Sequence, residues 1–307
     1  MATRQDSPAL VALLNEAFRT PMDQSTWEWY VYGNPQGASR VYLAVEGERR
    51  IVGMFGFAPV RLKVEDVTLD ARFVHHLVLA PAYRDGLSFV ALSRHALKAE
   101  GDLGVPLAIG PPNRQSYPIH KTLMKWTDFG HLDRLYKLSP SAHPHNCREV
   151  RRFDDSFDRF YNRLSAGLCF CVAKTAPWMN WRFLDRPGSP YTVYGVERDG
   201  ELAGYTILKT WQEPDGYRKA HVMDLHATDE AALSHLIAAA ESYAAGCDEL
   251  NLWAVPGYPY REFLASRGFI SRDDARQPLI ARPLNGVSVR FSEGRCAFAY
   301  GDGDCQY

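Results

Sequence analysis

Residues 41–57, VYLAVEGERRIVGMFGF, and residues 192–208, TVYGVERDGELAGYTIL, repeat one order of residue types. Each copy has an apolar run, a charged turn and a second apolar run, which is typical of a β-hairpin. At a constant offset of 151 residues (204 − 53 = 151), Gly53 corresponds to Gly204 and Val45 to Val196. One hairpin is therefore predicted twice in the same chain.

Other motifs recur around the two hairpins. The segment WEW ending at Trp29 corresponds to WMNW ending at Trp181, at an offset of 152 residues (181 − 29 = 152). Upstream of each hairpin, NPQG at residues 34–37 corresponds to RPGS at residues 186–189. Because both the order and the spacing are kept, we interpret the chain as an internal duplication.

Each half predicts the same order of elements: a helix, an antiparallel group of strands, a β-α-β unit and a last helix. The run FVHHLVL, residues 73–79, has too few polar residues for an exposed edge, which predicts a central strand. Helices are predicted over residues 7–18, 87–100 and 117–125 and over FDDSFDRFYNRL, EAALSHLIAAAESYAAG and YREFLASRGF. C-terminal strands are predicted over residues 278–282 and 287–300.

The predicted fold class is α+β, with two tandem domains that each have a mixed, mainly antiparallel sheet flanked by helices. A chain of 307 residues accommodates two such domains of roughly 150 residues. We place the first domain at residues 1–140 and the second at residues 148–307. The Pro-rich segment 141–147 is the predicted linker.

Composition limits the partners of the protein. A formal net charge of −1 argues against an extended electrostatic surface for nucleic acid or an anionic membrane, and neither partner is expected. The sequence has no run of 18 apolar residues, and its first residues lack the apolar core of a signal peptide. We therefore expect a cytoplasmic protein. The six cysteines contain no C-x-x-C pair, and no metal site is predicted. The oligomeric state is left open.

The element order and three motifs resemble the GNAT superfamily of acyl-CoA-dependent N-acyltransferases. The motifs are the hairpin VYLAVEGERRIVG, the strand and loop HLVLAPAYRDG, and PPNRQSYPIHKTLMKW, and the resemblance covers nearly the whole chain. The phrases WMNWRF and AYGDGD further resemble a tandem branch associated with polysaccharide or aminosugar metabolism. The resemblance implies acetyl-CoA or another acyl-CoA as co-substrate and a small amine, such as an aminosugar or sugar nucleotide, as acceptor.

The resemblance also implies where the acyl-CoA pyrophosphate binds, in a loop of the pattern R/Q-x-x-G-x-G/A before a helix. Glycine lets the backbone approach an anion, and a helix N-terminus offers unpaired N–H donors. The corresponding residues are a degenerate version of this loop, and they are Arg84, Asp85, Gly86, Leu87 and Ser88. Asp85 brings a negative charge to this place, and an ordinary β-to-α turn is the open alternative.

The equivalent loop of the second half has no Arg and no Gly, and it has two acids, Asp229 and Glu230. Acids at a helix N-terminus satisfy its N–H groups, so this helix is predicted to cap itself. The acyl-CoA is therefore predicted only in the first half, and the second half is assigned a substrate or scaffold role.

Further cofactor contacts follow from the resemblance alone. The superfamily bonds the pantetheine arm through the backbone of its central strand, which by position is Leu77, Val78 and Leu79. Asn113 corresponds to an Asn that contacts the cofactor chain.

Catalysis requires a base for the amine and often an acid for the leaving thiolate. Where many members carry a carboxylate, just before Leu77, this chain has His75 and His76. Successive strand residues point to opposite faces, so we expect only one to face the cleft, His76 with His75 as the alternate. As base, His76 should give a pH profile that rises through a pKa of roughly 6 to 7. Tyr117 is the nearest phenol for the acid, because Lys121 occupies the usual tyrosine position. Structural roles for all three are the open alternatives.

In the second half, Asp224 and His226 alternate on the predicted central strand and share a face. That face is a candidate for binding the substrate amine, and a buried structural pair is the alternative. Trp29 is a candidate for stacking on a sugar, and the alternative is a packing role.

The leading function is an N-acyltransferase that acts on a small amine, and the group that we expect it to transfer is an acetyl group. The incomplete glycine loop and the missing tyrosine leave a non-catalytic binding protein as the second hypothesis. A third is a tRNA-dependent aminoacyl transferase, for which the sequence shows no basic helical arm.

Overall fold

The computed structural model describes residues 1–18, 22–48, 50–84, 86–188, 191–272, 276–286 and 294–303. Within those ranges the helices are α1 Ser7–Ala17, α2 Gln24–Tyr32, α3 Leu87–Asp102, α4 Tyr117–Thr122, α5 Asp155–Ala166, α6 Ala176–Met179, α7 Glu230–Tyr243 and α8 Arg261–Ser266. The strands are β1 Arg40–Glu46, β2 Arg50–Val64, β3 Val67–Leu79, β4 Leu107–Gly110, β5 Thr127–Leu138, β6 Arg148–Glu149, β7 Phe170–Val172, β8 Thr192–Arg198, β9 Glu201–Gln212, β10 Arg218–Ala227, β11 Glu249–Ala254, β12 Ile270–Ser271 and β13 Gln277–Pro283. None of the helices in these ranges is both long enough and apolar enough to cross a membrane.

All the named strands belong to one sheet of order β1-β2-β3-β4-β13-β5-β11-β10-β9-β8-β6, with β7 paired to β2 and β12 to β5. Two pairs of named strands are parallel, β3 with β4 and β10 with β11, and each belongs to a β-α-β unit. The other described pairings are antiparallel. The predicted fold, two tandem α+β domains with mixed, mainly antiparallel sheets, is confirmed.

The two halves exchange strands at the centre of the sheet. β5 ends the first half in sequence but pairs with β11 of the second half, and β13 of the second half pairs with β4 of the first. β5 and β13 also pair with each other. Sequence analysis did not predict β5. Residues 139–147 connect β5 to β6, and the domain boundaries on either side of residues 141–147 stay a prediction.

The repeated hairpins have the same bulge, displaced by one residue from the predicted alignment. Gly53 pairs with Ala44 and Gly204 with Val196, and in each hairpin the register shifts at the next residue. Gly53 and Gly204 are therefore equivalent, but the counterpart of Val196 is Ala44 and not Val45. Three residues separate β1 from β2, whereas two separate β8 from β9, and the longer loop accounts for the displacement.

The repeated tryptophans pack against each other. Trp29 Nε1 donates to the backbone oxygen of Trp181 at 2.7 Å, and Trp181 Nε1 donates to that of Trp29 at 3.0 Å. Their rings stack with centroids 5.3 Å apart, and each residue is 8% exposed. This reciprocal pair relates the halves by an approximate two-fold arrangement and stabilises their contact through buried aromatic area.

The predicted C-terminal strand over residues 287–300 is not supported where it can be checked. Residues 287–293 lie outside the described residues. Within 294–300 the described backbone makes a single bridge, Cys296 with Phe170, and a short 3-10 helix follows at Tyr300–Asp302.

Candidate functional site

The central strands of the first half separate after a short parallel pairing. β3 and β4 pair at Arg72 with Ala108 and at Phe73 with Ile109, and β3 then continues to Leu79 without β4 beside it. Gly110 is the last residue of β4 and lies close to β3. A Cβ atom at this position would lie 2.6 Å from Val74, so only glycine fits there. The separation opens a gap next to the N-terminus of α3 and the start of α4.

Two adjoining cavities of about 290 Å³ each occupy this gap, and they share Phe18, Leu77, Phe89, Asn113 and Ser116 in their linings. The outer cavity is further lined by Ala17, Val78, Leu79, Arg84, Gly86, Gln115 and Ile119. The inner cavity is further lined by Phe55, Val74, His75, His76, Gly110, Pro111, Pro112, His120, Gln277 and Ile280. The gap thus brings together most of the residues that the sequence proposed for cofactor binding.

The outer cavity contains the N-terminus of α3. Gly86 stands before this helix with a φ of +77°, a conformation that favours glycine, and no acidic residue lies in the first turn. The first N–H groups of a helix have no intrahelical partner and carry a partial positive charge. Arg84 Nε donates to the carbonyl of Leu79 at 3.0 Å, which places its guanidinium beside the helix start. Leu87 and Ser88 form the first turn of α3, and Asp85 lies outside the described residues.

The two histidines of β3 lie together, which corrects the prediction that they face opposite sides. His76 has a φ of +45°, and the β2–β3 register shifts beside it. This bulge brings the Nδ1 atoms of His75 and His76 to 2.7 Å, and both rings contact the edge of Tyr30. A side chain at Gly56 would overlap the His75 ring, so glycine makes room for the pair. Both histidines line the inner cavity.

Burial determines the charge of these imidazoles. It lowers the pKa of His76 to about 4, and burial together with the neighbouring His76 lowers the pKa of His75 well below its usual value. His76 keeps some exposed surface, whereas His75 is 3% exposed. Both rings are therefore neutral at about pH 7, and a rise of activity through a pKa of 6 to 7 is no longer expected from His76.

Tyr117 is directed to a carboxylate and does not belong to the described lining of either cavity. Its hydroxyl donates to Asp128 Oδ1 at 2.8 Å, and Lys121 donates to Asp128 Oδ2 at 2.6 Å. The hydrogen bond to Asp128 raises the pKa of Tyr117. Asn113 lines both cavities, and its Oδ1 accepts from the backbone N–H of Ser116 at 2.8 Å.

The corresponding gap of the second half is filled. β10 and β11 pair only from Lys219 to His221, after which β10 continues to Ala227. The hydroxyl of Tyr260 occupies the separation: it accepts from the N–H of Ala227 at 2.8 Å and donates to the carbonyl of Ala227 at 3.0 Å. Ala227 pairs with Gly204 as Leu79 pairs with Gly53, so Tyr260 bonds the backbone at the position equivalent to Leu79, whose carbonyl accepts from Arg84 and which lines the outer cavity.

The helix that follows this second gap caps itself, as predicted. Asp229 Oδ1 accepts from the N–H of Ala232 at 3.0 Å, and Glu230 adds a second acid in the first turn of α7. Arg198 pairs with Asp229 at 2.8 Å. An anion at this helix end would meet a carboxylate, whereas the first turn of α3 contains no acid.

A buried charge cluster lies behind Tyr260. Lys174 Nζ lies 2.7 Å from Asp224 and 2.9 Å from Asp302, and the hydroxyl of Tyr205 donates to Asp224 at 2.6 Å. His226 Nε2 lies 3.4 Å from Asp224, and the side chains of Lys174, Asp224, Asp302 and His226 are at most 2% exposed. Asp224 and His226 are therefore together, as predicted, but they are enclosed within the protein.

Electrostatics keep this cluster ionised. Burial acts to raise the pKa of Asp224, but Lys174 and His226 outweigh it and hold that pKa below its usual value. Burial acts to lower the pKa of Lys174, and the two carboxylates raise it. Burial raises the pKa of Asp302 to about 6 and lowers that of His226 to about 4. Among the described residues, no group of three or more His, Cys, Asp or Glu side chains is arranged to hold a metal ion.

Sequence reasoning missed Ser116, His120, Tyr260 and Lys174. Tyr260 immediately precedes α8 as Ser116 immediately precedes α4, so an alignment of the two helix starts would have exposed this difference. No sequence pattern marks Lys174, because its partners are 50 and 128 residues away (224 − 174 = 50; 302 − 174 = 128). Trp29 lies at the contact between the halves and not in the described lining of either cavity.

Two family profiles, both described as acetyltransferase (GNAT) domains, match residues 1–122 and 171–272. No curated protein matches the chain. Among solved structures, a probable N-acyltransferase from Enterococcus faecalis V583 has a TM-score of 0.71 at 13% identity, covering 92% of this chain and 71% of its own.

Two further structures are similar, both GCN5-related N-acetyltransferases. The one from Anabaena variabilis has a TM-score of 0.70 at 16% identity, covering 92% of this chain and 72% of its own. The one from Kribbella flavida has a TM-score of 0.67 at 16% identity, covering 94% and 72%. These likenesses show the same fold. With both halves matched by acetyltransferase profiles, the chain belongs to the GNAT superfamily as a tandem N-acetyltransferase.

Proposed function

We propose that the first half binds one acyl-CoA, most simply acetyl-CoA, in the gap between β3 and β4, and transfers its acyl group to an amine. The observation that carries this proposal is the contrast between the two gaps. The first is open and lies beside the N-terminus of α3, whose first turn has no acid, whereas Tyr260 fills the second.

The arrangement of the outer cavity supports the placement of the cofactor. The pyrophosphate would lie at the N–H groups of Leu87 and Ser88, with Arg84 supplying a positive charge. The pantetheine arm would run along Leu77–Leu79 toward the inner cavity, where the thioester and the acceptor meet. The second half would act as a scaffold.

In the transfer, the lone pair of the amine nitrogen attacks the thioester carbonyl carbon. A C–N bond forms, the C–S bond breaks, and the sulfur leaves with the bonding electrons and gains a proton. We propose His76 as the group that accepts the proton from nitrogen, with His75 orienting it through the 2.7 Å contact. Tyr117 as proton donor rests on the sequence alone, because its hydroxyl donates to Asp128.

The charge at Arg84 tests the placement of the cofactor. Arg84→Glu should weaken acetyl-CoA binding by about 1–3 kcal/mol, measured by isothermal titration calorimetry. Arg94→Glu is the matched control, since Arg94 is exposed on α3, the helix that follows Arg84, and lines neither cavity among the described residues. Equal affinity in the Arg84 and Arg94 variants would place the pyrophosphate elsewhere.

A further inference from the structure

The lining of the inner cavity is uncharged as far as the structure describes it. Its described polar side chains are those of His75, His76, His120, Asn113, Ser116 and Gln277, and no Asp, Glu, Lys or Arg is among its described residues. Burial lowers the pKa of His76 and of His120 to about 4, and that of His75 lies well below its usual value. All three imidazoles are therefore neutral at about pH 7.

Two buried ring nitrogens of this lining lack a hydrogen-bond partner within the described residues. They are Nε2 of His75 and Nδ1 of His120, whose residues are 3% and 5% exposed. Buried polar atoms are normally paired, but these two nitrogens are themselves enclosed by protein atoms, so His76, which keeps some exposed surface, is the imidazole that a ligand in the cavity can reach. A neutral imidazole nitrogen can either donate or accept, according to its tautomer.

The rest of the described lining of the inner cavity is apolar. Phe18, Phe55 and Phe89 contribute aromatic rings, and residues such as Pro111 and Ile280 contribute aliphatic surface. An alkylammonium ion that entered would lose its water without gaining a carboxylate from the described lining, which is strongly unfavourable. A neutral amine on a flat apolar body would lose little and could pair with the imidazole of His76.

We infer that the acceptor is an amine that is uncharged at neutral pH and carried on an aromatic body, an arylamine, bound in the inner cavity. This inference rests on the proposed function and specifies its substrate class. The aryl nitrogen attacks the acyl carbon with its own lone pair, the C–S bond breaks, the N–H proton passes to His76, and the thiolate is protonated to give an anilide and CoA thiol. No ammonium proton has to be removed first, so a weakly basic imidazole suffices.

Aniline and benzylamine form a matched pair of probes, because they are similar in size but only benzylamine is protonated at about pH 7. With acetyl-CoA and the intact chain, thiol release corrected for the uncatalysed reaction should give a kcat/KM at least about tenfold higher for aniline. The aniline rate should stay flat from about pH 6.5 to 8.5, whereas the benzylamine rate should rise about tenfold per pH unit with its neutral fraction. A kcat/KM for benzylamine, spermidine or glucosamine equal to that for aniline would overturn the inference.

A charge placed in the cavity should reverse the preference. Gln277→Glu adds a carboxylate to the inner lining and should lower the aniline-to-benzylamine ratio by at least about tenfold. Gln212→Glu, at the exposed end of β9, is the matched control and should leave the ratio unchanged. An unchanged ratio in Gln277→Glu would overturn the inference.

Titration with acetyl-CoA distinguishes a failure of the proposed function from a failure of the arylamine inference. Failure of acetyl-CoA to bind would overturn the proposed function itself. Binding of acetyl-CoA with transfer to charged amines only, or to neither probe, would overturn the arylamine inference and leave the cofactor site in place.

Discussion

The two halves of this protein open the same gap between their parallel strands and use it differently. In the first half the gap holds two adjoining cavities beside the N-terminus of α3. In the second half, Tyr260 bonds both backbone groups of Ala227, and Asp229 caps the helix. The comparison indicates that a phenol at the start of the last helix can fill such a gap without changing the fold.

The polar groups around the two gaps also differ in their charge. Around the closed gap, Lys174 forms ion pairs with Asp224 and Asp302 within the protein. The inner cavity of the open gap has only uncharged polar side chains among its described residues. Nε2 of His75 and Nδ1 of His120 there, and Nδ1 of His226 beside the closed gap, are buried without a hydrogen-bond partner in the described part of the chain.

The largest expected effect is on the stability of the closed half. Lys174→Met leaves Asp224 and Asp302 buried without their cation and should lower the free energy of unfolding by about 3–5 kcal/mol in chemical denaturation. Lys98→Met removes an exposed ion pair with Asp102 and should change stability by less than about 1 kcal/mol. Similar losses in both variants would mean that the buried cluster contributes no more than a surface pair.

A substitution in the open half should change the acyltransferase activity. His76→Ala should lower kcat/KM by about a hundredfold and leave the Kd of acetyl-CoA unchanged, measured by thiol release and calorimetry. Since the pKa of His76 is about 4 and a base must be unprotonated, the wild-type rate with aniline as acceptor should be flat above about pH 6. Full activity in His76→Ala would show that water removes the proton.

Acid should destabilise the protein through both halves. Burial lowers the pKa of His120, His221 and His226 to about 4, so between about pH 6.5 and 4 the unfolded chain binds protons that the folded chain does not. The free energy of unfolding should therefore fall as pH falls through this window, by about 2–3 kcal/mol for one such group.

Asp302 opposes this trend, because its raised pKa of about 6 adds stability as pH falls from about 6 to 4. His226→Gln should flatten the pH dependence of stability and leave acetyl-CoA affinity unchanged. An unchanged slope in that variant would contradict the assignment of His226 as neutral and buried.

The smallest expected effect concerns equivalent turns after α4 and α8. Lys125 has a φ of +56° and Gly268 a φ of +85°, each before an aromatic residue. Gly268→Ala should lower the melting temperature, at a cost of about 1 kcal/mol, because the left-handed conformation disfavours a side chain. Lys125→Gly relieves the same strain and should not destabilise the protein. The reverse order of melting temperatures would contradict the equivalence of the two turns.

The sequence predicts what depends on local pattern. The hairpins, the β-α-β units and the cap at Asp229 follow from alternation, turn residues and helix-start acids, and all are present. It also places the cofactor loop next to the gap, although the roles of Arg84, Asn113 and His76 stay predictions.

Long-range pairing accounts for what the sequence does not reveal. β5 was missed because TDFGHLDRLYKL alternates imperfectly, and it is held by partners such as Leu279, which lies 149 residues from Gly130 (279 − 130 = 149). The positive φ of His76 has no sequence signal, since neither Gly nor Asn stands there. That one backbone angle decides that both histidines reach the same cavity.

The central claim, one acyl-CoA per chain in the first gap, is tested most directly by exchanging the residue before the last helix. Titration of acetyl-CoA into the wild-type chain should give one equivalent bound. The variant Ser116→Tyr places a phenol at the position that Tyr260 has in the second half. It should abolish the binding heat, and circular dichroism should show that the fold is retained. Ser116→Ala and Tyr260→Phe should each keep one equivalent. Two equivalents in the wild type, or full binding in Ser116→Tyr with loss in Tyr260→Phe, would contradict the account.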